Sequence, residues 1–313
     1  MKTTPNHLFQ RYGIYGVLVL LVIVLAIVSP VFLTGANIIN ILRQVAVNGI
    51  IAVGMTLVII TGGIDLSSGS LLALSAVVAT SLAHPGGHGA GLAVAAGIGV
   101  GLAMGTVNGV LIARQRLPPF IVTLGMMTAA RGLALVYTSG RPVIDLSEGY
   151  DRIGGGYLLG IPVPVIVFAG VAVLGGALLH GTRFGRYVYA IGGNELAARV
   201  SGVGTRGILI RVYALSGALA GLAGIVLSSR VMSGSPSTGV GYELDAIAAV
   251  VIGGTALSGG TGRIAGTIAG ALIIGVMNNG LDLLNVSSYW QQVAKGVIII
   301  LALLLDKTSS REK

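Results

Sequence analysis

The sequence that decides the fold is Thr61–Ser70, TGGIDLSSGS, which follows a long apolar run. Adjacent glycines followed by serines interrupt a helix and leave backbone N–H and C=O groups that need new partners. Within a membrane, such a break is tolerated where it is buried in protein or lines a wet cavity. The segment therefore predicts a broken helix beside a transport path, although it also fits a plain turn between two spans.

A second segment later in the chain carries the same pattern. Aligned at the paired glycines, residues 62–70 and 253–261 both read G-G-x-x-L-S-x-G-[ST]. Downstream, residues 107–109 (VNG) resemble residues 278–280 (NNG). We interpret these matches as a diverged internal duplication whose symmetry, parallel or inverted, is left open. Interrupted segments in both halves of a chain indicate a transport pathway.

The candidate pathway residues are the helix-breaking residues and nearby polar side chains. They are Gly62, Gly63, Asp65, Ser67, Asn108, Thr123, Gly253, Gly254, Ser258, Asn278 and Asn279. An acid within a membrane is a functional hypothesis by default, but Asp65 could equally cap the next helix through Ser67 or backbone amides. We favour a structural or gating role for Asp65 over direct contact with the solute.

Composition predicts an all-α integral membrane protein, formed as a single domain over residues 1–313. Hydrophobic residues make up 54% of the chain and charged residues only 9%, whereas a soluble domain carries about 25% charged residues. The apolar stretches are continuous rather than alternating, which argues against a β-barrel. The chain has no cysteine and therefore no disulfide or thiolate metal site. We attribute the net charge of +9 to membrane topology and not to nucleic acid.

About ten apolar runs are candidate membrane spans, and three of them are short enough to be broken, tilted or re-entrant. The runs cover residues 13–33, 45–61, 70–83, 89–113, 119–138, 161–180, 212–229, 244–260, 266–280 and 291–305. The first half of the duplication would occupy about 13–138 and the second about 161–305.

The basic residues predict cytoplasmic N- and C-termini. With ten spans, thirteen of the 19 Lys and Arg residues fall on the inside, four fall outside, and Arg131 and Lys295 fall within spans. This is a strong positive-inside bias. Two hydrophilic segments are long: 139–160 lies outside, and 181–211, with five arginines, lies inside.

Two further patterns concern residues within the spans. Glycines at four-residue spacing predict close helix packing, and they are Gly97, Gly101, Gly105, Gly109, Gly217, Gly221, Gly266 and Gly270.

Arg131 is expected to pair with a carboxylate or with carbonyl groups in the bundle. Asp245 and Asp282 lie near span ends, where water could solvate them.

The sequence carries no enzyme motif. It has no P-loop, and residues 260–266 (GTGRIAG) match a dinucleotide fingerprint only loosely. No nucleophile–histidine–acid set and no metal-ligand set is evident, so we expect no catalytic, metal or cofactor site on this chain.

The polar residues within the spans are mostly neutral amides and hydroxyls, which suit a neutral, hydroxyl-rich solute better than an ion.

Four ordered motifs resemble the permease subunits of ribose-type bacterial sugar ABC importers. They are residues 62–70 (GGIDLSSGS), 119–125 (PFIVTLG), 190–202 (AIGGNELAARVSG) and 243–254 (ELDAIAAVVIGG). The resemblance implies a dimeric ten-helix pore in the bacterial inner membrane that works by alternating access. It also implies a separate cytoplasmic ATPase that binds ATP and Mg²⁺, and an extracytoplasmic sugar-binding protein, which loops 139–160 and 230–243 would meet.

The same resemblance places the ATPase-coupling segment at 190–203. Its candidate residues are Gly193, Asn194, Glu195, Ala197, Ala198, Ser201 and Gly202. Residues 194–198 also look like a short capped helix in their own right. Glu195, Ala197, Ala198 and Gly202 match the "EAA" loop of importers, whose later Leu-Pro is absent here.

Two other functions stay open from the sequence. A permease for another small solute, such as branched-chain amino acids, would share this architecture. An ion-coupled secondary transporter would work without an ATPase, but the few intramembrane acids argue against it. The sequence determines neither the sugar nor whether the second permease copy is identical.

Overall fold

The computed structural model describes residues 5–87, 89–297 and 300, and about three quarters of them are helical. The helices are α1 (Pro5–Val28), α2 (Gly35–Ile60), α3 (Ser68–Leu82), α4 (Ala90–Gln115), α5 (Pro119–Thr138), α6 (Glu148–Gly154), α7 (Val163–Gly181), α8 (Arg183–Gly193), α9 (Glu195–Val200), α10 (Thr205–Arg230), α11 (Tyr242–Ile252) and α12 (Ile264–Leu283). Residues 288–297 form a further helix, here α13. Strands β1 (Tyr157–Leu158) and β2 (Ile161–Pro162) form one antiparallel hairpin.

Six helices are long and apolar enough to cross a membrane: α2, α4, α5, α7, α10 and α12. Two shorter apolar helices are residues 13–28 of α1, and α3. The all-helical prediction is therefore confirmed, whereas the count of about ten spans is not. The predicted span 291–305 overlaps α13 but continues into residues that the structure does not describe. Residues 1–4 and the segment from 301 also lie outside the described residues.

Two predicted spans end at the wrong residue. The first ends at Val28 rather than Leu33, because the next residues are Ser29 and Pro30, and proline cannot continue a helix. The span predicted over 244–260 ends at Ile252, where Gly253 and Gly254 break α11. Gly254 has a φ of +82°, a conformation that glycine adopts without steric cost.

The core of the bundle is the close packing of α4 against α10. A Cβ atom on Gly101 would overlap the carbonyl oxygen of Gly217, and one on Gly105 would overlap that of Tyr213. Gly109 lies as closely against Ile210. Their regular spacing puts these glycines on one face of α4, so the two backbones can touch. The predicted packing role of the four-residue glycine pattern is confirmed.

The bundle has two distinct ends. One end carries α8 and the arginine-rich segment 181–211, and we call it the basic end. There, Gly192 of α8 packs against the carbonyl of Ile60, which also accepts a hydrogen bond from the N–H of Gly260 (2.9 Å). At the opposite end, Val143 pairs with Gly234 in a β-bridge, and the N–H of Ser147 donates to Ala83 (2.7 Å).

Two extended segments enter the bundle from opposite ends, and each continues into a short helix. Residues 61–67 run inward from the basic end, and α3 completes the crossing. Residues 231–241 run inward from the opposite end: Gly234 packs against Thr80, whereas Gly239 packs against Gly69, eleven residues and about 16 Å along α3. The helix α11 then continues to the basic end, where Gly253 contacts Gly266.

This arrangement makes the internal duplication inverted. A 26-residue helix (α2 or α10), an extended segment and a short helix (α3 or α11) recur in the same order but in opposite directions. The predicted equivalence of 62–70 with 253–261 is wrong, because the first precedes a short helix and the second follows one. The two Gly-Gly segments instead meet at the basic end, where Gly259 contacts Gly62.

Substitution on the glycine face tests the packing of α4. We expect Gly101→Val to lower the free energy of unfolding by about 1–3 kcal/mol, because the added side chain overpacks the contact with α10. The control is Gly99→Val on the same helix, since a Cβ atom at Gly99 meets nothing within 4 Å. Thermal unfolding in detergent measures both variants, and equal losses would contradict the proposed contact.

Candidate functional site

The predicted pathway residues lie in three separate places. Those of the first half, Gly62, Gly63, Asp65, Ser67, Asn108 and Thr123, meet around the extended segment 61–67. Gly253, Gly254 and Ser258 lie at the basic end. Asn278 and Asn279 lie on the part of α12 nearer the opposite end. The structure therefore does not bring all the candidates into a single site.

Asp65 forms the central hydrogen bonds of the cluster around the segment 61–67. Its side chain is fully buried, and its Oδ1 accepts hydrogen bonds from the N–H (3.0 Å) and the hydroxyl (2.6 Å) of Ser67. Its Oδ2 accepts from the hydroxyl of Ser216 (2.9 Å), near the middle of α10. The carboxylate thus caps the start of α3 and ties it to α10, which is the structural role favoured from the sequence.

Two further helices fasten the same segment. The amide of Asn108 on α4 donates to the hydroxyl of Ser67 (3.0 Å). The hydroxyl of Thr123 on α5 donates to the carbonyl of Ile64 (3.2 Å). Side chains from three surrounding helices therefore hold the seven-residue break: Ser216 and Asn108 bond to its side chains, and Thr123 bonds to the backbone carbonyl of Ile64.

The paired glycines make room for a tyrosine that the sequence reading missed. A Cβ atom on Gly63 would overlap the hydroxyl of Tyr213, and Gly62 has a φ of +80°. Tyr213 is fully buried, and its hydroxyl has no hydrogen-bond partner within the described part of the chain. A large aromatic residue on an apolar helix carries no signal that would distinguish this position from ordinary packing.

The other two places connect helices to each other. At the basic end, Gly253 lies against Gly266, while the backbone of Ser258 lies close to Gly62. On α12, Asn279 and Asn37 exchange reciprocal amide hydrogen bonds of 2.8 and 3.0 Å. These contacts hold elements together, and they give Asn279 and Gly253 a packing role.

Four charged residues meet at the start of α11, and none of them was a predicted site residue. Arg131 on α5 donates to the carbonyls of Pro236 and Thr238 (2.7 Å to Thr238), which confirms its expected pairing with carbonyl groups. Asp245 was expected near water, but it is buried and forms an ion pair with Lys295 (2.9 Å). Glu243 completes the group, and its Oε1 accepts from the N–H of Gly241 (3.2 Å).

The candidate coupling residues 193–202 include the short helix predicted from the sequence. Asn194 is the N-cap of α9, and its side chain accepts from the N–H of Ala197 (2.9 Å). Glu195 pairs with Arg199 one turn later, Ala198 is buried, and Gly202 has a φ of +86° after the helix. The remaining residues of the set frame this turn: Gly193 ends α8, Ala197 lies within α9, and Ser201 is its C-cap.

Behind α9 lies a cavity of about 490 Å³ at the basic end. Residues 61–63, the end of α4 and Pro118–Pro119 line one side, and Glu195 and Arg199 line the other. The helix α9 is therefore separated from the break at 61–67 by open space rather than by packed side chains.

At the opposite end, the segment 139–160 folds back on the bundle through α6. The hydroxyls of Tyr150 and Ser228 are 2.7 Å apart, and the N–H of Gly154 donates to Ser229 (2.7 Å). Burial raises the pKa of Tyr150 to about 12, so its hydroxyl stays protonated at neutral pH. This segment is fixed to α10 and is not a free loop.

Comparison with known proteins assigns the family. A family model described as the permease component of a branched-chain amino acid transport system matches residues 37–303. The chain belongs to this permease family. Its members are transport components, and with its apolar helices this makes the chain a multi-pass protein of the inner membrane.

Similar permeases are named after sugars. The chain is 51% identical to the ribose import permease protein RbsC of Bacillus subtilis and 52% identical to that of Escherichia coli K12, in each case over 97% of this chain and 95% of the relative. It is 42% identical to the L-arabinose ABC transporter permease protein AraH of Azospirillum brasilense, over 96% of this chain and 88% of the relative. No solved structure matches the chain.

The role of Asp65 is testable by removing its charge. We expect Asp65→Asn to lower the free energy of unfolding by about 1–3 kcal/mol, because the neutral amide accepts through one oxygen only and loses the charge-assisted bonds that the carboxylate makes with Ser67 and Ser216. The control is Asp282→Asn, which changes an exposed acid on α12. Thermal unfolding of both purified variants is the measurement, and a neutral Asp65→Asn would refute the capping role.

Proposed function

We propose that this chain is the permease subunit of an ATP-driven importer for a monosaccharide, of which ribose is the first candidate. The observation that carries the proposal is the near full-length similarity to ribose import permeases at 51–52% identity. The sugar-named relatives also include L-arabinose, D-allose and xylose permeases. The chain would form the pore, and the nucleotide and Mg²⁺ would bind to a separate ATPase.

The carboxylates of Asp65 and Glu243, which lie about halfway between the two ends of the bundle, support a neutral solute. The N-terminus of a helix attracts anions because its N–H groups and dipole are unpaired. Here Asp65 already caps the start of α3, and Glu243 already lies at the start of α11. Both short helices thus have an internal carboxylate beside their first turn, and its negative charge disfavours a second anion there. An amino acid carries a carboxylate that would need an anion site, whereas a sugar does not.

The surface of α9 supports an ATPase partner. Leu196 and Val200, one turn apart on α9, are 69% and 82% exposed. A pair of exposed aliphatic residues beside the Glu195–Arg199 ion pair suits docking into a protein groove. In the importer, this end of the bundle would face the cytoplasm, and α9 would transmit the motion of the ATPase.

The exposed faces of the bundle suit a second permease copy. Only 28% of the apolar stretch of α5 is buried within the described structure. Among the described residues, a Cβ atom on Gly125 or Gly132 of α5 would meet nothing within 4 Å, so no packing contact there accounts for their small size. A partner helix could approach closely there. The opposite end, including 139–160 and 230–243, would then meet the sugar-binding protein.

Uptake by the assembled importer tests the function. Vesicles containing the permease, its ATPase and the sugar-binding protein are expected to accumulate ribose only when ATP is present on the ATPase side. Leu196→Asp with Val200→Asp should reduce ATPase binding and uptake by about tenfold or more, because both apolar anchors are lost. ATP-independent uptake driven by a cation gradient would favour a secondary transporter, and uptake of leucine in place of ribose would favour the amino acid alternative.

A control separates docking from folding. Leu159 is 95% exposed on the β1–β2 hairpin at the opposite end, so Leu159→Asp should leave ATPase binding unchanged. Equal loss of ATPase binding in the control and in the α9 variant would argue against a docking surface on α9.

The orientation is testable because the chain has no cysteine. Single Leu196→Cys and Leu159→Cys variants would carry one reactive thiol at each end. We expect a membrane-impermeant maleimide to label residue 159 in right-side-out vesicles and residue 196 only in inverted vesicles. Labelling of both from the same side would show that the two ends are wrongly assigned, and the reverse pattern would place α9 outside.

A further inference from the structure

The charged group at the start of α11 lies at mid-height in the bundle. A Cβ atom on Gly69, at the start of α3, would overlap a carboxylate oxygen of Glu243. The adjoining Asp65 is bonded to Ser216, near the middle of the 26-residue α10. The two short helices therefore begin close together at this level, each from its own half of the inverted repeat. Binding sites of transporters with inverted repeats lie at this level.

The charges in this group balance. Arg131 on α5 and Lys295 on α13 carry the positive charges, and Glu243 and Asp245 carry the negative charges. Glu243 lies within electrostatic range of both Arg131 and Asp245. The two acids lie in the first turn of α11, and the two cations approach them from α5 and α13. The formal charges of the group sum to zero, so it has no net charge to attract an ion.

One acceptor in this group has no partner. The amide nitrogen of Asn278 donates weakly to Asp245 (3.5 Å), but its Oδ1 has no hydrogen-bond partner in the described residues. Asn278 is only 4% exposed. A buried amide oxygen without a donor is costly, and a hydroxyl group would satisfy it.

The helix that carries Lys295 is lightly packed. Most side chains of α13 are exposed, including Trp290 at 67% and Val293 at 53%. Among the described residues, its polar contacts run through Gln291, which donates to Asp282 (2.7 Å), and through Lys295. Lys295, whose side chain is 26% exposed against 3% for Asp245, therefore lies on the less enclosed side of the group.

We propose that Asp245, Lys295 and Asn278, with Arg131 and Glu243 beside them, form a subsite that binds the hydroxyl groups of a neutral polyol as it passes through the pore. The proposal rests on the proposed function. Carboxylates accept from hydroxyl groups, while the ammonium, the guanidinium and the amide nitrogen donate to them, so each polar group of a sugar finds a complement. A net-neutral set of this kind would reject ions and would not trap an anion.

Ligand protection tests the subsite directly. Asn278→Cys and Lys295→Cys each place the single thiol of the cysteine-free chain in the group. The permease is assembled with its ATPase in lipid nanodiscs and alkylated with N-ethylmaleimide, with no nucleotide, ATP or a non-hydrolysable ATP analogue present. We expect ribose in excess to slow the alkylation several-fold, and leucine at the same concentration to have no effect. The control is Leu159→Cys on the β1–β2 hairpin, a position that is 95% exposed and whose alkylation ribose should not change.

Transport provides the second readout. Asp245→Asn and Lys295→Met should reduce ribose uptake by about tenfold, the effect of losing one charge-assisted hydrogen bond, while ATP hydrolysis stimulated by the binding protein is retained. A purely structural ion pair would lose both activities together, or lose the folded complex.

Three outcomes would overturn the subsite. They are thiols that react at the same rate with and without ribose, thiols that do not react in any nucleotide state, and protection by leucine instead of ribose. If the intact importer still takes up ribose in the first two cases, only the subsite fails. If the importer takes up no ribose at all, the proposed function fails first.

Discussion

The structure depends on one constraint: backbone that is not helical must still find hydrogen-bond partners inside the bundle. Residues 61–67 satisfy it by means of a buried carboxylate. Asp65 accepts three hydrogen bonds, two from Ser67 and one from Ser216, and so fixes the start of α3 against α10. Without the carboxylate, the backbone N–H of Ser67 would lose its acceptor, and an unpaired N–H in an apolar surrounding costs several kcal/mol.

The glycine contact between α4 and α10 makes this arrangement possible. Ser216 immediately precedes Gly217, whose carbonyl lies against Gly101, and Asn108 immediately precedes Gly109, which lies against Ile210. Two of the three polar side chains that reach the segment 61–67 thus come from positions next to close backbone contacts. A bulkier residue at those glycines would move Ser216 and Asn108 away from Asp65 and Ser67. Helix packing and the position of the break are therefore coupled.

Much of this fold can be predicted from sequence, because apolar length, glycine spacing and capping residues act locally. The α5 bounds, the capped α9 and the glycine face of α4 follow from such signals. The topology of the repeat does not, because two similar Gly-Gly motifs at 62–70 and 253–261 occupy different positions relative to their short helices. The buried Asp245–Lys295 pair was also missed, because the two residues are fifty positions apart and only the path of α11 brings them together.

The central claim is that Asp65 and Ser216 act together to hold the inward-running segment. A double-mutant cycle with Asp65→Asn, Ser216→Ala and the combined variant measures this coupling through the free energy of unfolding in detergent. The account predicts a coupling energy of about 1–3 kcal/mol, because either change alone removes the same hydrogen bond. Effects that add within about 0.5 kcal/mol would contradict it, since independent sites behave in that way.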